Sequence, residues 1–530
     1  MSCQGLKNRG YNIQNLLLAL LSIALLSLPW VEITSLTLFI AFVPLLMINK
    51  RSTHGAFIAF SIFILIAWHL ITLIWVANAT WIGPVAATVA GVTLFIIPLI
   101  FFSLSSRKNT PIISYVLLIS SWTAAEYLYL NGEISFPWIM LGNGFSLDAK
   151  IVQWYEYTGS LGGTIWMLLS NILIFEAIER RSKKYGIVAG SVIVIPIIIS
   201  FLIYINYKEE IRPLQVTIVQ PNIDPYTEKF GSMTKYEQLS IIETLANEAP
   251  HDVDFIIAPE TAVEGNIIED DLTSSSELNR LKTSVISTHP QASIVTGVTA
   301  YRMYPFNIAE APTVSARKSP QGYYDVINGA VCISEADTIP LYIKSKLVIG
   351  VEMIPYPNIL KHIPFFTVDL GGSVGGLLSQ ERREVFSNKG NKVGPAICFE
   401  SIYGEHFGGF VREGAQVMFI VTNDGWWKDT FGYKQHFNFA RIRAIETRRS
   451  IARSANTGIS AFINQRGDVL ERLGWDVRGT ITDKINLNDK MTFYTIYGDW
   501  LGRISTLILV LTLLFLIAQK MKNKLNSKKI

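Results

Sequence analysis

Residues 56–77 read AFIAFSIFILIAWHLITLIWVA, an almost unbroken apolar run. A helix of about 20 such residues is long enough to cross the hydrocarbon core of a bilayer. In lipid, a helix also satisfies its own backbone hydrogen bonds, which an isolated strand cannot do. This run alone would also fit a buried core helix, but it is one of a series, so the sequence predicts an integral membrane protein.

The series extends in both directions from residues 56–77. Eight spans are predicted, at 12–29, 34–49, 56–77, 83–104, 111–130, 160–178, 186–205 and 498–519. Only 17% of the residues are charged, against about a quarter in soluble proteins. We therefore expect a multi-domain membrane protein with a bundle of about eight transmembrane helices. Its predicted parts are a bundle of about seven helices over 1–212, a catalytic domain over 213–487, and a final helix with a basic tail over 488–530.

Basic residues indicate the orientation of the bundle, because short cytoplasmic loops collect Lys and Arg. They fall before the first span, on every second connection and after the last span: Lys7, Arg9, Lys50, Arg51, Arg107, Lys108, Arg180, Arg181, Lys183, Lys184, Lys520, Lys522, Lys524, Lys528 and Lys529. Both termini are therefore predicted to be cytoplasmic and the domain over 213–487 to lie outside. Glu126, inside the fifth span, is expected to face the bundle interior or its outer mouth.

Charge and cysteine usage exclude several classes. The net charge of +4 is too small to indicate a nucleic-acid partner. Cys3, Cys332 and Cys398 form no disulfide framework, and no Cys or His spacing suggests a metal site. The first apolar run is followed at once by more spans, so we interpret it as a retained anchor rather than a cleaved signal peptide.

The domain over 213–487 alternates short β-rich runs with helical stretches, which is typical of a layered α/β fold. The predicted strands are Leu214–Gln220, Asp254–Ala258, Ala292–Tyr301, Asn328–Ile333, Val393–Cys398, Gln416–Thr422 and Gly458–Ile463. Chemically reactive side chains follow several of them. In such folds the loops beyond the strand ends converge on one crevice.

Cys398 ends the run Val393-Gly-Pro-Ala-Ile-Cys. A cysteine in this position is more often a small core residue than a nucleophile. Glu260, Glu400 and Lys344 change that balance, because a base or a cation activates a thiol and a lysine can stabilise an oxyanion. Cysteine, glutamate and lysine together suffice for acyl transfer without a metal.

These residues carry a resemblance to the nitrilase superfamily, and the whole chain resembles its membrane-bound branch, the bacterial apolipoprotein N-acyltransferases. The matching stretches include Phe136-Pro-Trp138, Ala258-Pro-Glu260, Lys344-Ser-Lys-Leu, Ile397-Cys398-Phe-Glu400, Asn423-Asp-Gly-Trp-Trp427 and Ser454-Ala-Asn-Thr-Gly458. They follow the family's order along almost the full chain. The resemblance implies an α-β-β-α sandwich for the outer domain.

Carried over residue by residue, the resemblance implies Glu260 as general base, Lys344 as oxyanion-stabilising cation and Cys398 as nucleophile. Glu352 and Glu400 are implied as supporting carboxylates. The chain departs from the family pattern at Ala258, at Phe399 and in Ile349-Gly-Val-Glu352. These departures concern packing around the substrate rather than the triad.

The implied activity is transfer of a fatty acyl chain from a phospholipid, through a thioester, to the N-terminal amine of diacylglyceryl-modified apolipoproteins. It implies no cofactor, a monomer, and a place in the bacterial inner membrane with the catalytic domain periplasmic. Two alternatives remain: a membrane-tethered amidase of the nitrilase type, and a non-catalytic scaffold or transporter.

Contacts with lipid are expected at Trp138, Trp426, Trp427 and His436. Residues 353–376, rich in Pro, Gly and aromatics, are predicted to form a mobile lid. Residues 436–453 are predicted to form a helix whose arginines make a solvated or salt-bridged basic face, although contact with phosphate is an alternative.

Overall fold

The computed structural model describes residues 3–357 and 376–527, with side chains from residue 12 onward. The chain divides into two compact units. The helical unit comprises residues 1–74, 84–202 and 499–530, and the α/β unit comprises residues 75–83 and 203–498.

The helical unit is built from long apolar helices. Its α-helices are Cys3–Ser27, Val43–Arg51, His54–Leu73, Gly83–Ser106, Pro111–Asn131, Tyr155–Thr158, Ser160–Glu179, Lys183–Asn206 and Trp500–Ser527. Within the described residues, five helical segments are long and apolar enough to span a membrane: His54–Asn78, Gly83–Ser106, Ser160–Glu179, Lys183–Asn206 and Trp500–Ser527. Asn12–Ser27 is a shorter apolar helix. The predicted helical membrane part is confirmed, with fewer full-length spans than eight.

The predicted span over 34–49 is wrong as a single helix. The chain forms a 3-10 helix at Leu36–Ile40 and then a nine-residue α-helix at Val43–Arg51. Pro44 lies in the first turn of the second piece and has no N–H to continue a helix through the break. The freed backbone groups are satisfied by the side chain of Asn171, whose Oδ1 accepts from the amides of Phe42 (2.7 Å) and Val43 (3.2 Å).

Glu126 faces the interior of the helical unit, as predicted. It is fully buried, and its carboxylate accepts hydrogen bonds from Trp122 Nε1 (3.2 Å), the Leu141 amide (2.8 Å) and Thr164 Oγ1 (2.6 Å). Three donors on one carboxylate explain how this side chain is tolerated among apolar helices.

The α/β unit contains two sheets. Its strands are β1 (Pro213–Gln220), β2 (Phe255–Ile257), β3 (Val263–Ile268), β4 (Ser293–Met303), β5 (Arg317–Ser319), β6 (Gly322–Ile333), β7 (Leu341–Ile343), β8 (Phe386–Asn388), β9 (Asn391–Ile397), β10 (Val417–Thr422), β11 (Ile451–Ala455), β12 (Ser460–Ile463), β13 (Val469–Leu473) and β14 (Gly479–Asn486). The first sheet has the order β14-β1-β2-β4-β6-β5, with β3 on β4 and β7 on β6. The second has the order β13-β12-β11-β10-β9-β8. Its α-helices are Lys235–Ala246, Ser276–Leu281, Gly404–Arg412, Phe431–Thr447 and Phe493–Tyr497.

The residues of β6 show how the layers form. Ala330 and Cys332 belong to the core shared with the second sheet, whereas Val331 and Ile333 belong to the core shared with Lys235–Ala246 and Ser276–Leu281. This alternation follows from the two-residue period of a strand. The second sheet is covered on its other face by Gly404–Arg412 and Phe431–Thr447. The result is the α-β-β-α sandwich that the resemblance implied.

The basic helix predicted over 436–453 is corrected in two ways. It runs from Phe431 to Thr447 and is followed by strand β11. Its arginines do not form a solvated face, because Arg443, Arg448, Arg449 and Arg453 are all buried. The predicted salt bridges are present for two of them, since Arg443 pairs with Glu446 and Arg453 pairs with Asp424. Arg449, for example, donates to the carbonyls of Ala415 and Lys490, each at 2.8 Å. These guanidinium groups tie loops together, a use for which their several fixed donors suit them.

Candidate active site

Three strand ends of the α/β unit bring Glu260, Lys344 and Cys398 together. Glu260 comes three residues after β2, while Lys344 and Cys398 directly follow β7 and β9. Lys344 Nζ lies 2.9 Å from Glu260 Oε1, and the Cys398 thiol lies close enough to both side chains for their charges to shift its pKa. All three are buried, with residual exposures of 1%, 6% and 7% for Lys344, Glu260 and Cys398. A thiol, a carboxylate and a cation are therefore buried close together at these strand ends.

Glu352 is a second carboxylate on the same lysine. Its Oε1 also lies 2.9 Å from Lys344 Nζ, and its Oε2 accepts from the Val348 amide at 2.8 Å. Asn328, on β6, joins the two carboxylates, since its Nδ2 donates to Glu260 Oε1 and to Glu352 Oε1, each at 2.9 Å. Sequence reasoning assigned no role to Asn328. The available signal was a polar side chain at the start of the predicted strand Asn328–Ile333, whose other residues are apolar.

The electrostatics of this group favour an ion pair beside a neutral thiol. Burial lowers the pKa of Lys344, but Glu260 and Glu352 raise it well above its usual range. Burial raises the pKa of Glu260, but the charge and hydrogen bonds of Lys344 and Asn328 hold it below its usual range. Burial and the Glu260 charge raise the pKa of the Cys398 thiol well above its usual range, despite Lys344. The proton therefore rests on the sulfur, beside the charged pair of Glu260 and Lys344.

The main chain at Cys398 is held in an unusual conformation. Its φ of +49° lies in the left-handed region, which costs free energy for a residue other than glycine. A 3-10 helix, Cys398–Ile402, begins at this point. The chain therefore turns away from the direction of β9 at Cys398. The hydrogen bonds around this turn must compensate for the strain in the main chain.

Glu400 supports the loops that carry Lys344 and Cys398 rather than touching the thiol. Its Oε1 accepts from Tyr342 Oη (2.7 Å) and from the amides of Ser345 (2.6 Å) and Lys346 (3.2 Å). Its Oε2 accepts from the Ile397 amide at 2.8 Å. One fully buried carboxylate therefore joins the segment after β7 to the end of β9.

The structure places His436 inside the α/β unit. It is fully buried, 3.2 Å from the Cys398 carbonyl through Nε2 and 3.0 Å from Asp424 Oδ1 through Nδ1. Trp138 is likewise buried, in the helical unit, where it stacks on Phe136. Neither side chain is exposed to solvent.

The tryptophan pair after β10 is half-buried. Trp426 stacks on Phe230 with ring centroids 5.9 Å apart and meets Tyr226 edge-on. Trp427 packs edge-on against Trp75 at 4.9 Å. Most of the predicted lid, residues 358–375, lies outside the described residues. In the part of the chain that is described, no cluster of three or more His, Cys, Asp or Glu side chains could hold a metal ion.

Two family models match the chain. Residues 215–491, more than half of it, match the carbon-nitrogen hydrolase model. The chain belongs to the carbon-nitrogen hydrolase family. Residues 17–173 match the model described as the apolipoprotein N-acyltransferase N-terminal domain. The chain thus combines a carbon-nitrogen hydrolase domain with a segment that matches the N-terminal domain of apolipoprotein N-acyltransferases. It is a multi-pass membrane protein.

Curated relatives resemble the chain over most of its length. An apolipoprotein N-acyltransferase from Chlorobaculum tepidum is 28% identical, covering 91% of each chain. One from Thermotoga maritima is 25% identical over 82% of this chain and 77% of its own. Apolipoprotein N-acyltransferase 1 from Treponema denticola is 24% identical over 96% of this chain and 97% of its own.

Solved structures resemble part of the chain. An amidase of the nitrilase superfamily from Nesterenkonia is 13% identical, with a TM-score of 0.36, and covers 55% of this chain and 96% of its own. Nit3 from Saccharomyces cerevisiae is 14% identical, with a TM-score of 0.37, and covers 54% of this chain and 93% of its own.

Proposed function

We infer that this chain is an apolipoprotein N-acyltransferase, a membrane enzyme that acylates lipoproteins with a phospholipid as donor. The observation that carries this inference is the buried ion pair of Glu260 with Lys344, which lies beside the buried thiol of Cys398. This arrangement occurs in a chain whose helical part matches the acyltransferase N-terminal domain. A tethered amidase would need a single anchor, and a scaffold would need no such site.

The first half-reaction forms a thioester. Glu260 takes the proton of Cys398, and the sulfur attacks the sn-1 ester carbonyl of a phospholipid. Lys344 Nζ stabilises the oxyanion that develops on the carbonyl oxygen. The ester C–O bond then breaks, the proton passes from Glu260 to the leaving oxygen, and a lysophospholipid departs.

The second half-reaction transfers the acyl chain. The free α-amine of the diacylglyceryl-modified cysteine of an apolipoprotein attacks the thioester, a C–N bond forms and the C–S bond breaks. Glu260 takes the proton of the amine and returns it to the sulfur. Each half-reaction uses the same base and the same cation. Glu260, Lys344 and Cys398 come from one chain, so a monomer suffices.

The proposed orientation has both termini in the cytoplasm and the α/β unit on the periplasmic side of the inner membrane. It is supported by the packing of the basic connections within the helical unit. Lys50 forms an ion pair with Glu179, and Arg107 donates to the carbonyls of Asn49 (3.3 Å) and Ser52 (3.0 Å). The connections after residues 49, 106 and 179 therefore lie together, as the distribution of Lys and Arg requires.

Intact-mass analysis tests the thioester. Purified protein incubated with phosphatidylethanolamine vesicles is expected to gain one fatty-acyl mass, removable by hydroxylamine. Cys398→Ala should gain none, because the nucleophile is gone. Cys332→Ala is the matched control and should still be acylated. Cys332 lies four residues beyond Asn328 on β6, roughly 13 Å along the strand.

Addition of a diacylglyceryl-modified lipopeptide then separates the alternatives. An N-acyltransferase is expected to lose its adduct as the peptide gains the same mass. Release of free fatty acid with no change in the peptide would indicate hydrolysis and favour the tethered amidase. A wild-type protein that never acquires an adduct would contradict a role for Cys398 as acceptor of the acyl chain.

Gly297→Ala is expected to impair the same reaction without altering any of the three reactive side chains. A Cβ at Gly297 would lie 2.5 Å from Glu260 Cα and 2.5 Å from the Thr261 nitrogen. Glu260 must therefore move, and displacements of this kind cost up to about 100-fold in rate. Thioester formation should slow by about 10- to 100-fold. Gly474→Ala, where a Cβ meets no atom within 4 Å, is the control, and equal rates for the two variants would contradict the expected displacement of Glu260.

A further inference from the structure

Two side chains contact the carbonyl oxygen of Cys398. Ser401 Oγ donates to it at 2.7 Å, and His436 Nε2 lies 3.2 Å from it. Both side chains are fully buried. They act on the peptide unit that follows Cys398, the residue whose φ of +49° sets the direction of the thiol.

The surroundings of His436 place a proton on Nε2. Nε2 lies beside the Cys398 carbonyl, which can only accept, and 3.0 Å from Ser401 Oγ, whose own proton goes to the same carbonyl. An unprotonated Nε2 would face the carbonyl oxygen with a lone pair. Nε2–H is therefore a donor whether or not the ring carries a second proton.

A buried ion pair fixes the other side of the ring. His436 Nδ1 lies 3.0 Å from Asp424 Oδ1 and 3.0 Å from an Arg453 guanidinium nitrogen. Arg453 also donates to Asp424 Oδ2 at 2.7 Å. Asp424 follows β10 and Arg453 lies on β11, so the ring is anchored to two strands of the second sheet.

We propose that His436 is a positioning residue for the nucleophile: its Nε2–H donates to the Cys398 carbonyl and holds the left-handed turn that points the thiol at Glu260. Asp424 and Arg453 orient the ring for this purpose. The proposal rests on the proposed function, because it assumes that Cys398 accepts the acyl chain. It adds that the geometry of the Cys398 peptide, and not only the three reactive side chains, sets the rate of acylation.

A pair of substitutions isolates the Nε2 donor. His436→Gln places an amide nitrogen near the position of Nε2, whereas His436→Asn reaches only the position of Nδ1. Thioester formation is measured by quenched intact mass at increasing concentrations of phosphatidylethanolamine in mixed micelles. We expect His436→Asn to slow the maximal rate by about 10- to 100-fold, with the half-saturating lipid concentration little changed. His436→Gln should recover most of the rate, which a merely space-filling role would not predict.

His251→Asn, at an exposed histidine of the same unit, is the control. If His436→Asn acylates at the wild-type rate, or if His436→Gln is as slow as His436→Asn, the positioning role is wrong. If the wild type itself acquires no adduct, it is the proposed function that fails. If the His436→Asn protein does not accumulate in the membrane, the acylation rate of Ser401→Ala is measured instead, since this variant removes the other donor to the Cys398 carbonyl. A wild-type rate in Ser401→Ala would overturn the proposal.

Discussion

Lys344→Met is expected to abolish thioester formation on Cys398. Methionine keeps most of the volume of lysine but removes the charge that lies 2.9 Å from both Glu260 and Glu352. Loss of a single oxyanion donor costs about 10²- to 10³-fold. The base is lost as well, because two carboxylates without their cation cannot both stay ionised in a buried site. We therefore expect a total loss of at least about 10³-fold in the acylation rate.

The same substitution should introduce a dependence of stability on pH near neutrality that the wild-type Glu260 does not have. In the wild type, the pKa of Glu260 is held below its usual range, so its contribution to stability is present at neutral pH and is lost as the pH falls through that lowered pKa. In Lys344→Met, one carboxyl should have a raised pKa. Its contribution is then present at acid pH and is lost as the pH rises through the raised value.

Thermal denaturation in detergent, followed by tryptophan fluorescence between pH 5 and pH 8, measures this new dependence (roughly the range in which a raised carboxyl pKa falls). Lys392→Met, at an exposed lysine on β9, is the control and should behave as the wild type. A Lys344→Met protein that forms the thioester at the wild-type rate would contradict the role proposed for the lysine.

The sequence was most informative where strands are buried on both faces. All seven predicted strands are present, because each is a short apolar run that the flanking layers enclose. The short strands β3 and β7 were missed, and so was the buried strand β11, where Arg453 and Ser454 interrupt the apolar run. All four edge strands, β5, β8, β13 and β14, were missed as well. Each of them has exposed or half-exposed positions, and a strand that packs little surface carries little hydrophobic periodicity.

The reactive residues could be located because they follow apolar strands, whereas the residues that hold them could not. Asn328 lies within β6, and His436 lies on a helix 38 residues beyond the cysteine whose carbonyl it contacts. Their roles depend on how strands and helices come together in space, which spacing along the chain does not encode. The break in the helical segment at 36–51 was missed for the same reason. The Asn171 side chain, which accepts a hydrogen bond from the backbone at this break, lies more than 120 residues away along the chain.

Glu400→Gln should be far from conservative. Both carboxylate oxygens of Glu400 accept from donors: three groups around Tyr342–Lys346 reach Oε1, and the Ile397 amide reaches Oε2. A glutamine must turn its NH₂ toward one of these sets, so at least one buried donor loses its partner. Hydrogen bonds to a charged group contribute about 1.5–3 kcal/mol each, and we expect a loss of roughly 3 kcal/mol in the free energy of unfolding. The loops that carry Lys344 and Cys398 would separate, so thioester formation should also fall.

The pH dependence distinguishes this effect from general damage. Burial raises the pKa of Glu400, but His406, Tyr342 and the Ile397 amide hold it below its usual range. Its stabilisation is therefore complete above the pKa of an unfolded glutamate, about 4.3, and is lost as the pH falls through the lowered value. The difference in melting temperature between wild type and Glu400→Gln should be largest near neutral pH and should shrink on acidification below about pH 4. Glu413→Gln, at an exposed helix end, is the control. A constant difference at all pH values would mean that the charge of Glu400 does not hold the two loops together.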